Sequence, residues 1–139
     1  MYLLDTNVIS ELRNGKAKQY PAVRDWAHRH EAHHLYLSAV TCLELEIGVQ
    51  RMERRDVRQG EVLRSWLDAV LVEFDGRILP FTSVTAIHCA GLHVPDGRSF
   101  RDSMIAATAL EHGFKVVTRN VADFQGTEVH LINPWTAAT

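Results

Sequence analysis

Four acidic side chains fall where an α/β protein would keep its chemistry, and Asp5 is the first of them. It directly follows Leu3 and Leu4, a pair typical of the end of a short buried strand. A carboxylate in that position is costly unless it is hydrogen-bonded, paired or bound to a cation. Asp123 lies in the segment RNVADF after the strand-like KVVT. Both acids therefore follow strand ends, where open parallel sheets carry their sites.

Glu44 lies in a helical pattern. Because successive helical residues are about 100° apart, the segment AVTCLELEIGV places Glu44 within an apolar stripe that should face the sheet. The other members of this stripe are Val40, Leu43 and Ile47. Glu46 points away from it, and Gly48, one turn after Glu44, leaves room beside the carboxylate.

Asp102 begins the apolar stripe of a second helix. In RDSMIAATAL it aligns with four apolar side chains, namely Ile105, Ala106, Ala109 and Leu110. Taken singly, the acids have ordinary interpretations. Asp102 can interact with the free N–H groups of its helix, Asp123 can be a loop acid, and Asp5 can accept hydrogen bonds from the next helix start.

Taken together, the four carboxylates predict a metal site. They point to the same side of one sheet, so they would repel one another and raise each other's pKa unless a cation intervened. No lysine lies within these motifs to pair with them. Because hard oxygen ligands suit Mg²⁺ or Mn²⁺, we interpret Asp5 as a metal ligand.

The elements that must position these acids alternate along the chain. Strands are expected at Tyr2–Leu4, Leu35–Leu37, Arg77–Leu79, Lys115–Thr118 and Val129–Ile132. Helices are expected at Asn7–Leu12, Ala22–His30, Ala39–Met52, Val57–Phe74, Ser83–His93 and Ser99–His112. The expected helix boundary residues are Pro21, Ser38, Asp56 and Gly113. This alternation predicts an α/β fold with a mainly parallel central sheet.

The composition is that of an ordinary globular protein. With 139 residues, 46% apolar and 23% charged, we expect a single domain over residues 1–139. The sequence has neither an apolar run of about 20 residues, as a membrane span needs, nor a signal-peptide start. Cys42 and Cys89 are interpreted as reduced core residues of a cytoplasmic protein.

Four further features of the sequence are given no functional role. The net charge of −2 argues weakly against a nucleic-acid partner. The arginine-rich run at 51–64 is interrupted by acidic residues, so it is interpreted as a solvated helix face. The run HRHEAHH at 28–34 suggests zinc, but an exposed polar turn is favoured because a helix end, a loop and a strand start crowd into it. Three residues are interpreted as core or interface aromatics: Trp26, Trp66 and Trp135.

The sequence resembles a known family in four segments, which occur in order along the chain: LLDTNVISEL, SAVTCLELEIGV, RDSMIAATALEHG and VVTRNVADF. These segments are similar to those of PIN-domain proteins. Within that group they are most similar to the VapC-type toxins of bacterial toxin–antitoxin pairs, particularly the FitB-like branch. The resemblance covers essentially the whole chain, including the closing INPW.

This resemblance implies a three-layer α/β/α sandwich and an endoribonuclease that depends on Mg²⁺ or Mn²⁺. The family's four acids match Asp5, Glu44, Asp102 and Asp123. Of these, Asp5 and Asp102 are expected to bind metal directly, and the other two directly or through water. The family's supporting polar residues match Thr6, Thr118 and Asn120. The candidates for binding RNA phosphates are Arg98, Arg101 and Arg119.

The resemblance also implies protein partners. A small antitoxin encoded beside the toxin is expected to insert an arginine among Asp5, Glu44 and Asp102, since a guanidinium pairs bidentately with carboxylates. Its apolar residues would fill a groove whose expected walls are the helices Asn7–Leu12 and Ala39–Met52. A homodimer or a larger toxin–antitoxin assembly is expected as well, with Trp66 as a candidate contact.

Two other functions remain open at this point. An aspartyl-phosphate receiver domain shares the size, the sheet and an acid cluster, but it requires adjacent acids after the first strand and a lysine after a late strand. Asp5 has no acidic neighbour, and Lys115 precedes its strand. A non-catalytic module that binds RNA or protein is the other alternative, and metal-dependent cleavage would distinguish it.

Overall fold

The computed structural model describes residues 1–136. Its strands are β1 (Tyr2–Leu4), β2 (Leu35–Ser38), β3 (Ile78–Leu79), β4 (Lys115–Val117) and β5 (Leu131–Ile132). Its α-helices are α1 (Thr6–Glu11), α2 (Pro21–His28), α3 (Ala39–Arg55), α4 (Val57–Glu73), α5 (Ser83–Gly91) and α6 (Phe100–His112). Short 3₁₀ turns span Ala32–His34 and Val121–Phe124. Every expected helix and strand is present, with small shifts at the ends.

The strands form one sheet in the order β3-β2-β1-β4-β5, and every neighbouring pair is parallel. The predicted parallel sheet is therefore confirmed. The chain builds from β1 through β2 to β3 on one side and then continues as β4 and β5 on the other. The strand order thus reverses between β1 and β4. In open α/β sheets, ligands bind beyond the carboxyl ends of the strands at such a switch point.

Alternation along the strands directs side chains into two cores, one on each face of the sheet. Leu4 and Val117 join a core that receives side chains from α1, α2, α3 and α4. The neighbouring residues Leu3 and Val116 join a second core, built largely from α6. Helix α5 packs on α6. The sheet is therefore the middle of three layers, as the family resemblance implied.

The helix boundaries follow the local sequence signals. Ser38 Oγ accepts the Thr41 N–H at the start of α3, and the Asp56 side chain caps α4. Pro21 is the first residue of α2. Gly113 ends α6 with φ 69°, in the left-handed region that favours glycine. All four boundary predictions are confirmed.

The buried face of α3 differs from the predicted stripe. Leu43 is 57% exposed and Ile47 is 39% exposed. The buried residues of α3 are Val40, Thr41, Leu45 and Val49. The prediction was wrong by about one residue, or about 100° around the helix, because α3 packs against α4 as well as against the sheet. Glu44 lies at the edge of the buried arc. In α6, Leu110 is likewise exposed rather than buried.

Several structural interpretations of the sequence are confirmed. Cys42 and Cys89 are free thiols, and Cys89 is buried as predicted, whereas Cys42 is only half-buried. Trp26 is buried, and the other two tryptophans pack against the same core. The HRHEAHH run is a largely exposed turn between α2 and β2, although the donor atoms of Glu31, His33 and His34 lie within 4.8 Å of one another. Within residues 1–136, none of the helices combines the length and the apolarity that crossing a bilayer requires.

Gly60 permits a close approach of α4 to α3. A Cβ at this position would lie 2.5 Å from the Glu53 Cα, which is backbone and cannot easily move. We therefore expect Gly60→Ala to lower the free energy of unfolding by about 1–3 kcal/mol, measured by urea denaturation.

Gly48→Ala is the matched control within α3, because a Cβ there meets nothing within 4 Å. It should raise the free energy of unfolding by roughly 0.5–1 kcal/mol, since alanine restricts the unfolded chain more than glycine. Equal effects of the two substitutions would contradict the steric argument.

Candidate active site

Asp5 joins the end of β1 to the start of α1. Its N–H donates to the Val117 carbonyl of β4 at 2.9 Å. As the N-cap of α1, its Oδ1 accepts the Thr6 N–H at 2.7 Å. Its Oδ2 accepts from Thr118 Oγ1 at 2.8 Å and from Asn7 Nδ2 at 3.4 Å. The residue is 0% exposed, so these bonds fix a carboxylate that water does not reach.

Glu44 reaches the same place from α3. Its Oε1 accepts a short 2.5 Å hydrogen bond from Thr6 Oγ1, which links α3 to α1. The buried Thr41 Oγ1 lies 3.4 Å from both Thr6 Oγ1 and Ser38 Oγ. The Thr6 hydroxyl therefore contacts this carboxylate directly, and the hydroxyl groups of Thr41 and Ser38 lie behind Thr6.

Arg101, in the first turn of α6, connects three of the acids. Its Nε donates to Glu44 Oε2 at 2.6 Å, and its Nη1 donates to Asp102 Oδ1 at 2.7 Å. Its Nη2 forms an ion pair with Asp5 Oδ1. Carboxylates from the end of β1, from α3 and from α6 thus converge on one guanidinium, beyond the carboxyl edge of the sheet.

The charge of Arg101 is secured by these contacts. Burial alone would lower its pKa, but the carboxylates of Glu44, Asp5 and Asp102 outweigh burial through hydrogen bonds and charge, so the pKa of Arg101 is raised. The cation that the sequence analysis required between the acids is thus present within the chain. This role was not predicted from the sequence, because the motifs contain no lysine and Arg101 was a candidate for binding RNA.

A polar network behind Asp5 includes one residue that the sequence analysis missed. Asn7 Nδ2 lies within hydrogen-bond distance of Asp5 Oδ2 and of Thr118 Oγ1, the latter at 3.3 Å. Asn7 Oδ1 accepts the Arg119 N–H at 3.3 Å. The Asn120 N–H donates to Thr118 Oγ1 at 3.0 Å. The available signal for Asn7 was its position two residues after the buried acid.

Asp123 is the predicted acid that the structure does not bring to the other three. It is exposed in the turn Val121–Phe124. Its carboxylate makes none of the ion pairs found within residues 1–136. Its role as a ligand, direct or through water, stays a prediction.

Arg98 and Arg119 both hold loops together. Arg98 donates to the carbonyl oxygens of Leu92 and Gln125 at 2.9 and 3.0 Å. The guanidinium carbon of Arg119 lies 5.1 Å from the Tyr20 ring centroid and 5.2 Å from that of Trp135. A hydrogen bond from Arg119 lowers the pKa of Tyr20. Phosphate binding by either arginine stays a prediction.

Glu46 lies outside the site, as the helical periodicity of the sequence predicted. Arg64 of α4 donates to both of its carboxylate oxygens, at 2.6 and 2.7 Å. The hydrogen bond from Arg64 lowers the pKa of Glu46 to about 2. Glu44 and Glu46, two residues apart in α3, therefore belong to separate ion-pair clusters.

The donor set at the sheet edge has the chemistry of a hard divalent site, although with Arg101 between them the three acids are not among the described groups whose donor atoms already lie within 4.8 Å of one another. Each of the three carboxylates already presents an oxygen to one positive group, the Arg101 guanidinium, which stands in for a cation. Carboxylate oxygens suit Mg²⁺ and Mn²⁺ better than softer metals. The residues that could hold the ion are Asp5, Glu44 and Asp102.

A groove of about 560 Å³ lies on the face of the sheet that carries α1 and α2. Its walls are formed by α1, α2 and α4, with Leu12, Ala27 and Trp66 among the lining residues. Helix α3 contributes none of the residues that line it within the described chain. None of the acids of the site lines this groove either, so the predicted antitoxin groove between α1 and α3 stays a prediction.

Comparisons with known sequences identify relatives along the whole chain. The PIN domain profile matches residues 2–126. The VapC ribonuclease Y4jK of Sinorhizobium fredii is 38% identical and covers 99% of this chain and 100% of the relative. Toxin FitB of Neisseria gonorrhoeae is 36% identical, with 97% and 99% covered.

Solved structures similar to this chain include complexes that contain FitB. The crystal structure of FitAcB from Neisseria gonorrhoeae matches with a TM-score of 0.90 at 34% identity and covers 99% of this chain and 100% of that one. FitAB bound to an IR36 DNA fragment also matches with a TM-score of 0.90, at 32% identity, with 100% and 99% covered. A toxin–antitoxin complex from Klebsiella pneumoniae, at 22% identity and a TM-score of 0.69, supports the fold alone.

Thr118→Val tests the network behind Asp5. The substitution removes a buried hydroxyl that donates to Asp5 Oδ2, so we expect the free energy of unfolding without metal to fall by about 1–3 kcal/mol, measured by urea denaturation. The exposed Thr136 supplies the control. A loss at Thr118→Val no larger than that of Thr136→Val would show that the hydroxyl does not stabilise the carboxylate.

Proposed function

The chain belongs to the PIN-domain family, and we propose that it is a single-domain, divalent-metal-dependent endoribonuclease, the toxin of a toxin–antitoxin pair. One observation carries this proposal. Asp5, Glu44 and Asp102, far apart in sequence, meet around a single cation at the switch point of the sheet. The names of the VapC and FitB relatives, a ribonuclease and a toxin, support the proposed activity and role.

The acids of the chain would hold the metal. Asp5 and Asp102 are proposed as direct ligands, and Glu44 and Asp123 as ligands directly or through water, since Mg²⁺ keeps several waters. Bound ions would supply a water of lowered pKa and would stabilise charge on the scissile phosphate and the leaving oxygen. Thr6 and Thr118 orient the carboxylates through the hydrogen bonds described above. No side chain is required as a covalent nucleophile.

The arginines near the site would bind the RNA backbone. Arg119 is exposed and open to a phosphate, whereas Arg98 is half-buried and would bind a phosphate beside its two hydrogen bonds to main-chain carbonyls. Arg101 donates through all three of its nitrogens to carboxylates, so it could bind a phosphate only after leaving them. Contacts to phosphates fix the position of RNA without reading its sequence.

The reaction itself is the first test. Purified protein is incubated with a pool of cellular RNAs in Mn²⁺, in Mg²⁺ or in EDTA, and we expect cleavage only with metal. Asp5→Asn and Asp102→Asn should abolish cleavage. Glu44→Gln should slow it by roughly 10–100-fold, as the loss of a supporting ligand does.

Glu46→Gln is the internal control, because Glu46 pairs with Arg64 outside the site. It should cleave at the wild-type rate. Equal losses at Glu44 and Glu46 would contradict the assignment of Glu44. Cleavage in EDTA would contradict metal dependence, and the absence of cleavage in any buffer would favour a non-catalytic module.

The groove formed by α1, α2 and α4 is proposed as the docking surface of the antitoxin. Its lining includes Leu4, the residue before Asp5, and none of the acids of the site. An apolar segment of the partner would lie there, and an arginine of the partner would compete with Arg101 for the carboxylates. Raising Mn²⁺ should therefore weaken inhibition, although the apolar contacts would keep the complex together.

Homodimerisation is also proposed, with Trp66 as a candidate contact, although this side chain already packs on its own core.

Ala69→Arg tests the groove. Ala69 lines the groove from α4, so a long charged side chain there should weaken binding of the product of the adjacent small gene by about tenfold or more, measured by calorimetry. Val72→Arg adds the same charge to the same helix at a residue that is 77% exposed and does not line the groove, and should bind normally. If both variants bind the antitoxin normally, the antitoxin docks on another surface.

A further inference from the structure

Arg101 contacts the three acids in a one-to-one arrangement. Each nitrogen of the guanidinium donates to a different carboxylate: Nε to Glu44, Nη1 to Asp102 and Nη2 to Asp5. The two proposed direct ligands, Asp5 and Asp102, each use Oδ1 for this contact. A single side chain therefore fills the space between the carboxylates that a metal ion would need.

A guanidinium and a divalent ion cannot both occupy this position. A directly bound Mg²⁺ lies about 2.0–2.1 Å from its oxygen ligands, whereas these oxygens now accept N–H groups of Arg101. The approach of a doubly charged ion to a fixed guanidinium would also be repulsive. The two cations must therefore exclude one another at Asp5 and Asp102.

Arg101 can leave the carboxylates without unfolding the chain. Its side chain is 28% exposed, and it lies in the first turn of α6. Within residues 1–136, the hydrogen bonds of its guanidinium go to these three carboxylates alone. Arg98, three residues earlier, is instead tied to two main-chain carbonyls. Release of Arg101 therefore breaks contacts at the site and nowhere else.

We propose that Arg101 is a resident cation of the metal-free chain, which holds the three carboxylates together and which a divalent ion must displace in order to bind. This inference rests on the proposed metal dependence. Its consequence is reciprocal, because two ligands that exclude each other weaken each other's binding by the same factor. Arg101 thus stabilises the metal-free fold and lowers its affinity for metal.

The test measures metal binding and stability rather than cleavage. Wild-type protein and Arg101→Gln are titrated with MnCl₂ by calorimetry, and their melting temperatures are recorded in EDTA and in excess Mn²⁺. We expect Arg101→Gln to bind Mn²⁺ about tenfold more tightly. Its melting temperature should be several degrees lower than wild type in EDTA, and the difference should shrink or reverse in Mn²⁺.

Two variants control this comparison. Arg64→Gln removes the same charge from another cluster of carboxylates, formed by Glu46 and Glu53, and should leave the Mn²⁺ affinity unchanged. Arg101→Lys keeps the charge but loses the planar fork that reaches three acids at once, so its Mn²⁺ affinity should fall between those of wild type and Arg101→Gln. If Arg101→Gln fails to fold, Arg101→Lys alone is compared with wild type in the Mn²⁺ titration.

The outcomes separate this inference from the proposed function. Equal or weaker Mn²⁺ binding by the Arg101 variants would overturn the role of Arg101 and leave metal dependence intact. Equally tight binding by Arg64→Gln and Arg101→Gln would overturn it too, because the effect would then be that of net charge. If neither wild type nor Arg101→Gln binds Mn²⁺, the metal-dependent function fails together with the inference.

Discussion

Repulsion among carboxylates is the constraint on which this structure depends. Three acids from β1, α3 and α6 are brought together at one edge of the sheet, and Asp5 is buried there completely. Such a cluster is unfavourable unless a positive charge lies within it. In this chain the charge is supplied by Arg101, and the surrounding hydroxyl and amide groups hold the remaining oxygens of Asp5. The site is therefore a balanced polar network inside an otherwise apolar fold.

The sheet makes this convergence possible. Because β1 and β4 are parallel neighbours, their carboxyl ends place Asp5 and Thr118 side by side. Helix α1 then begins directly at Asp5, and Thr6 in its first turn reaches Glu44 of α3. A few short connections thus join three layers at one point, and the two cores on either side of the sheet keep that point rigid.

Local signals in the sequence predicted the elements and three members of the site, but they did not predict the pairing among them. Asp5, Glu44 and Asp102 were found from strand ends and helical periodicity. Glu44 was found although the apolar stripe used to locate it was wrong, since α3 turns a different arc toward its neighbours. Arg101 and Glu44 are 57 residues apart in sequence, and no periodicity relates them. The same limit applies to the groove, whose walls depend on how α4 packs against the core.

Asp5 serves as the end of a strand, as a helix cap and as a member of the site. A chain with alanine at this position loses a cap as well, which costs about 0.5–2 kcal/mol of stability, whereas asparagine caps as well as aspartate. Losses of that size change how much of a protein survives cellular proteolysis. Asp5→Ala would therefore also reduce the amount of protein in the cell, in addition to removing the acid. Chains that cleave slowly yet remain abundant would be expected from substitutions at Glu44 instead, which lies at the edge of the buried arc of α3 and caps no helix.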